Sequence, residues 1–118
     1  EIIELKGYNR NEVSLLMNAA DLVLLTSFTE GSPQFIKEAM ACNRPIVTTN
    51  VGDVDWLLEG VKGSYVCTHD SKVIAESIKK ALNVKNINSR SKLISLKLDS
   101  KSVAQRIIKI YSVLLEQK

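Results

Sequence analysis

Residues 21–26 read Asp21-Leu22-Val23-Leu24-Leu25-Thr26, and a polar loop follows, Ser27-Phe28-Thr29-Glu30-Gly31-Ser32. The chain then runs Pro33-Gln34-Phe35-Ile36-Lys37-Glu38-Ala39-Met40-Ala41-Cys42-Asn43-Arg44 into Pro45-Ile46-Val47-Thr48-Thr49. The two apolar runs have strand length and do not alternate with polar residues, as expected of parallel strands covered on both faces. Between them Phe35, Ile36, Ala39 and Met40 recur at helical spacing, which gives a helix with one apolar face. Ser32 as N-cap and Pro33 at the first helical position form a start signal. A strand, a helix and a second strand in this order make a parallel unit, because parallel neighbours need a long crossover.

The reading extends outward from that unit. Ile2-Ile3-Glu4-Leu5 reads as a further parallel strand, and Asn9 or Asn11 can cap a helix over 12–20 with Val13, Leu16, Met17 and Ala20 at helical spacing. Downstream, Asn50-Val51-Gly52-Asp53 is a turn, 54–59 a short helix and 64–67 a strand. Asp70 or Ser71 caps a helix to Leu82 with Val73, Ile74, Ile78 and Leu82 inward. A weaker helix covers 89–96, and Asp99 or Ser100 caps a last one to about Gln117, with Val103, Ile107, Ile110 and Leu114 on one face. The fold class is α/β, a Rossmann-like parallel sheet with helices on both faces. Four strands are fewer than the roughly five or six of a doubly wound sheet. The first residue is Glu1, not Met. Both features are expected of part of a longer protein.

Composition bounds the function. The chain has 118 residues, 45% hydrophobic and 25% charged, as in ordinary globular domains. No apolar run reaches the roughly 18 to 20 residues of a membrane span, and there is no signal-peptide pattern. Cys42 and Cys67 are too few for a disulfide scaffold and no Cys/His cluster has zinc spacing, so no metal site is expected. The net charge of +3 divides into −3 over residues 1–83 and +6 over residues 84–118. The basic helical segment of about 84–118 reads either as a solvated helix face or as a patch for an anionic partner such as lipid. Its one aromatic, Tyr111, offers little for base stacking, and no nucleic-acid partner is expected.

In parallel sheets ligands bind at the carboxyl ends of the strands. The loops that belong there are 7–11, 27–32, 49–53 and 68–70, and the second is the richest. It sets Glu30 and Gly31 directly before a helix start, where free N–H groups and the helix dipole favour an anion such as phosphate. Glu38 lies roughly 7.5 Å along the helix from Pro33, on the face of Gln34 and Ala41. A polyol lying across the helix start would touch both glutamates, and carboxylates accept hydrogen bonds from paired hydroxyls. Each feature also has a plain reading: an ordinary capped loop, and an exposed glutamate paired with Lys or Arg.

The run from Glu30 to Val47 resembles the signature of retaining GT-B glycosyltransferases of family 4, the group 1 class. That pattern has Glu-Gly, a few apolar positions, Glu-Ala-Met-Ala and then Gly-x-Pro-Val-Val, its two glutamates separated by seven residues, as Glu30 and Glu38 are. Leu15-Leu16-Met17-Asn18-Ala19-Ala20-Asp21-Leu22 resembles the stretch before the family's strand, and Asn50-Val51-Gly52 its glycine turn. The likeness runs over about residues 5–83.

The resemblance implies a partial C-terminal domain, spanning 1–118, that binds a nucleotide-diphosphate sugar (UDP-, GDP- or ADP-linked). Glu38 would hold the ribose hydroxyls, and Glu30 would serve as the catalytic residue beside the donor sugar. Gly31, Ser32 and Pro33 would bind the donor around its sugar and diphosphate. Transfer would proceed with retention and without a metal or other cofactor, to a saccharide or lipid-linked acceptor held by an N-terminal domain. The expected location is cytoplasmic, at the inner face of the membrane in the case of a lipid-linked acceptor, with peripheral membrane contact.

The sequence departs from the pattern in several places. Asn43 stands for the glycine after the helix, and it tolerates the left-handed conformation. Asp53 replaces a second glycine, and its carboxylate would repel a diphosphate or contact a sugar hydroxyl. Asp55-Trp56 replaces Pro-Glu, and Trp56 is expected to pack in the core, the alternative being that it lines the donor cleft. The basic residues that bind the diphosphate in the family are not matched by Arg10, Lys37 or Arg44, so the chain alone is expected to be inactive. Two alternatives remain at this level: a non-catalytic binding or scaffold module on the same half-domain, and an unrelated doubly wound domain.

Overall fold

A computed structural model describes residues 1–117; Lys118, the last cation of the basic segment, lies outside the described residues. The elements are α1 (Arg10–Ala19), β1 (Val23–Leu25), α2 (Gln34–Ala41), β2 (Ile46–Thr49), α3 (Val54–Leu58), β3 (Ser64–Cys67), α4 (Ser71–Leu82), α5 (Ser89–Ser95) and α6 (Ser100–Glu116). The strands form one parallel sheet in the order β1-β2-β3, with Val23 beside Ile46 and Ile46 beside Ser64. β2 is central, and all four of its residues are buried, which explains its unbroken apolar run.

Alternation along β2 divides the core into two layers. Ile46 packs with Val23, Ile36, Met40, Val54 and Leu57, under α2 and α3. Val47 packs on the other face with Cys67 and Ala81, under α4. Helices therefore cover both faces, as the sequence predicts. Burial of the Cys67 thiol raises its pKa above the usual value, opposed by a weaker effect of Ser77.

Several caps follow the sequence. Asn9 accepts from the Asn11 and Glu12 N–H groups while the Glu12 carboxylate takes the Asn9 N–H, a complete capping box. Asp70 and Asp99 cap α4 and α6. Asn43 sits at φ 55°, and its side chain donates to the Ile87 carbonyl and accepts from the Arg90 N–H, tying α5 to the end of α2.

Other expectations are corrected. Residues 2–5 form no strand; Ile2 is 93% exposed. Their apolar content fits a strand, but among the described residues no strand bonds to them, and the outer edge of β1 stays unpaired. An open groove of about 1040 Å³ runs beside that edge, lined by residues including Leu5, Leu16, Leu24 and Leu82. The sheet thus has three strands rather than four. In α4 Ile74 and Ile78 pack against the core as expected and Ser77 and Ala81 are buried, whereas Val73 and Leu82 are exposed; small side chains let the helix sit close to the narrow sheet, and the outermost large ones overhang it. Trp56 is 48% exposed, because Val54, Leu57 and Leu58 take the inward face of α3. α6 keeps the apolar face expected of it, but none of its residues is buried.

One glycine governs how the strand ends meet. Gly52 has φ 55°, and a Cβ there would overlap the Gly31 carbonyl and come within 3.0 Å of the Glu30 carbonyl oxygen.

These features set stability expectations, checked by denaturant melting of the protein. Ile46→Ala, at a site with no exposure, should cost about 2–5 kcal/mol. Leu15→Ala, at a site 72% exposed, should change stability by no more than about 0.5 kcal/mol. Gly52→Ala should cost about 1–3 kcal/mol for the left-handed backbone alone, and more for the overlap with Gly31.

Candidate functional site

The carboxyl ends of β1, β2 and β3 lead into loops 26–33, 50–53 and 68–70. The first is the longest and most polar, and its neighbours hold it at several points. The buried Thr49 hydroxyl donates to the Ser27 carbonyl at 2.6 Å. His69 Nε2 lies 2.9 Å from the same oxygen; since a carbonyl only accepts, this nitrogen carries the proton. The Asp53 N–H donates to the Gly31 carbonyl at 3.1 Å, and the Ser32 hydroxyl donates to Asp53 Oδ2 at 2.6 Å. A loop of this composition would otherwise be among the least restrained parts of the fold.

Glu30 is exposed, and its Oε1 accepts from the Ser27 hydroxyl at 2.8 Å. Gly31 and Ser32 are exposed and Pro33 is buried. Ser32 is not the N-cap, which corrects the sequence reading. Pro33 occupies that position with ψ 115° and no side-chain cap, and α2 begins at Gln34. The Ser32 hydroxyl donates instead to the Asp53 carboxylate, a charge-assisted bond. The consequence is electrostatic: the Gln34 and Phe35 N–H groups have no acceptor among the described residues, so the positive end of α2 remains open.

Glu38 is half-buried on α2, and among the described residues its carboxylate has neither a hydrogen bond nor an ion pair. The surface-pairing alternative is therefore not realised. Of the three cations considered from sequence, Lys37 is closest to the loop, with Nζ 3.5 Å from the Ser32 carbonyl. Arg44 donates to the Cys42 and Ala20 carbonyls, at the amino end of the sheet, away from this loop. Arg10 opens α1.

Sequence reasoning passed over one feature. The Phe28 and His69 rings stack with centroids 4.3 Å apart and planes 2° from parallel, and Phe28 is 85% exposed. The two residues are 41 positions apart, and they meet because the loops leaving β1 and β3, on either side of β2, reach across the carboxyl end of the sheet. A depression of about 550 Å³ at the ends of β2 and β3 is lined by Asn50, Asp55, Thr68, His69 and Val73 among others, and includes neither glutamate. Among the described residues no group of three His, Cys, Asp or Glu side chains could hold a metal ion, and no helix is long and apolar enough to cross a membrane.

The arrangement is a polar loop locked on three strand ends, an uncapped helix N-terminus, and one carboxylate on each side of that N-terminus along the chain. It can accept hydroxyl groups and receive an anion at neighbouring points.

Comparison with known proteins gives this arrangement a context. The chain is 28% identical over 107 residues to an N,N'-diacetylbacillosaminyl-diphospho-undecaprenol alpha-1,3-N-acetylgalactosaminyltransferase of Campylobacter jejuni, a match that covers 86% of this chain and 28% of that protein. The chain thus spans less than a third of the relative's length. No solved structure matches it significantly. Residues 1–84, which contain the sheet, the locked loop and both glutamates, match the family described as Glycosyl transferases group 1, and the chain belongs to that family.

Proposed function

We propose that the chain is the donor-binding part of a retaining glycosyltransferase of GT-B architecture, within its C-terminal domain. The observation that carries the reading is the open N-terminus of α2, with Glu30 before it and Glu38 inside the helix, in a member of a sugar-transferring family. A nucleotide-diphosphate sugar supplies what these groups can bind. Its diphosphate meets the free N–H groups and positive dipole end of α2. Its ribose diol meets the unpaired Glu38 carboxylate, and its sugar lies toward Glu30. Gly31 and Ser32 line the sugar and diphosphate. Pro33 has no N–H to offer, so its part is to set the extended turn that delivers the next two amides.

In the reaction the bond from the anomeric carbon to the diphosphate breaks, a new bond to an acceptor hydroxyl forms on the same face, and the acceptor proton is released. The chain's part is chiefly electrostatic, stabilising charge on the departing diphosphate, with no metal or cofactor required. The acceptor is a saccharide or a lipid-linked saccharide. The second choice is supported by the diphospho-undecaprenol in the relative's name, and it would bring the enzyme to the inner face of a membrane. Further protein completes the site in this reading. It is supported by the share of the relative that the chain spans, by the unpaired edge of β1 and by the exposed apolar face of α6.

The test is an assay of the full-length protein with UDP-, GDP- and ADP-sugars and an undecaprenyl-diphosphate-linked saccharide. Transfer is expected with at least one donor. Glu38→Ala should raise donor KM about 10- to 150-fold with a smaller fall in kcat, the loss of a charge-assisted contact of about 1.5–3 kcal/mol. Glu30→Ala should act mainly on kcat. Neither should shift the melting temperature by more than a few degrees, as both side chains lie outside the core. An unchanged donor KM in Glu38→Ala, together with a large fall in melting temperature, would make Glu38 structural. The isolated 118-residue chain should bind nucleotide-sugars with Kd of about 1 mM or weaker in calorimetry, and micromolar binding would show that the donor site needs nothing further.

A further inference from the structure

We propose that Asp53 is a positioning residue of the donor site, acting through Ser32 and Gly31. The inference rests on the donor-site reading above and assigns a role to a residue that would otherwise count against that reading, since it adds a negative charge near a diphosphate.

Asp53 engages the α2 loop twice. Its N–H donates to the Gly31 carbonyl at 3.1 Å, and its Oδ2 accepts from the Ser32 hydroxyl at 2.6 Å. The preceding Gly52 has no side chain where one would strike the Gly31 carbonyl, so the two turns close to backbone contact. The side-chain bond has a cost. Asp53 stands at the N-cap of α3 yet caps nothing, and its Oδ1 is buried without a hydrogen-bond partner. An unmet buried carboxylate oxygen is destabilising. A residue selected for stability alone at this place would cap α3 or satisfy both oxygens.

The benefit appears at α2. A serine just before a helix-starting proline ordinarily offers its oxygen to the first N–H groups. Here the bond to the Asp53 carboxylate places the Ser32 hydroxyl where it accepts from no amide of α2 among the described residues, and so keeps it off the helix end. The Gln34 and Phe35 N–H groups therefore stay free for the anion. Asp53 thus acts on the diphosphate from behind the loop, through its placement of Ser32 rather than through contact. Lys37 of α2, its Nζ 3.5 Å from the Ser32 carbonyl, adds a cation beside the same loop.

The test uses the full-length enzyme and four variants, Asp53→Ala, Asp53→Asn, Ser32→Ala and the Asp53→Ala/Ser32→Ala pair, with donor kinetics and thermal melting. Asp53→Ala should raise donor KM about 10-fold, the loss of one hydrogen bond to a charged group, with kcat changed by less than about threefold. Its melting temperature should be unchanged or higher, because the orphaned oxygen is gone. Asp53→Asn keeps an acceptor for Ser32 and should stay within about threefold of the parent KM. Ser32→Ala loses that side chain's own place beside the donor but leaves no hydroxyl to cap α2, so it should raise donor KM less than Asp53→Ala does, and combining the two should bring KM back from the Asp53→Ala value toward that of Ser32→Ala. The proposal is overturned if Asp53→Ala leaves donor KM within twofold. It is also overturned if its melting temperature falls in step with activity, or if the double variant is as impaired as Asp53→Ala or worse. Absence of transfer by the wild-type protein with every donor would instead overturn the donor-site reading, and the role of Asp53 with it.

Discussion

The top of this molecule depends on one close contact, that of the Gly52 turn against the Gly31 carbonyl. Any side chain at position 52 would force the β1 and β2 loops apart. With them in contact, the Asp53 N–H reaches Gly31, and the Thr49 hydroxyl and His69 ring both reach Ser27. A polar loop, costly to order by its composition, is thereby fixed by the strand ends beside it. Glu30 takes its place from that loop, and Glu38 takes its place from the rigid backbone of α2. The two carboxylates are held by different elements that this contact binds together, which is the kind of support a binding site requires.

The two ends of the sheet use their polar groups differently. At the amino end the groups satisfy one another: Arg44 donates to the Cys42 and Ala20 carbonyls, and Asn43 bonds to Ile87 and Arg90. At the carboxyl end the loop groups also bond to one another, as Ser32 does to Asp53 and Thr49 to Ser27, but Glu38 and the first amides of α2 have no partners among the described residues. This asymmetry follows the general rule for parallel sheets. It also explains why counting cations near the motif in sequence misleads. Arg44 is near Glu38 along the chain, but it is committed to structure at the opposite end.

Much of the fold was legible because it rests on local periodicity. The run 45–49 has no polar residue before its threonines because β2 is covered on both sides, and Ile36, Ala39 and Met40 repeat because α2 has a single core face. What was not legible depends on neighbours distant in sequence. Ser32 has the sequence pattern of a cap, but Asp53, 21 positions away, takes its hydroxyl. Residues 2–5 have the composition of a strand, but a strand exists only where an edge bonds to it. Val73 and Leu82 lie on the expected stripe of α4, yet three strands are too narrow to cover them. The Phe28–His69 stack joins two loops that only the sheet order brings together. The spacing of the two glutamates was visible in the sequence. That Glu38 would have no partner among the described residues was not, because pairing depends on where the cations fold.

The central claim is that the uncapped start of α2 receives the diphosphate while Glu38 receives the ribose. A crystal structure of the full-length protein with a bound nucleoside diphosphate tests it most directly. The account predicts phosphate oxygens within about 3 Å of the Gln34 or Phe35 amide nitrogens, and both ribose hydroxyls on the Glu38 carboxylate, at ordinary hydrogen-bond distances. A nucleotide seated instead in the depression beside Asn50 and His69, with Glu38 and the start of α2 untouched, would contradict it.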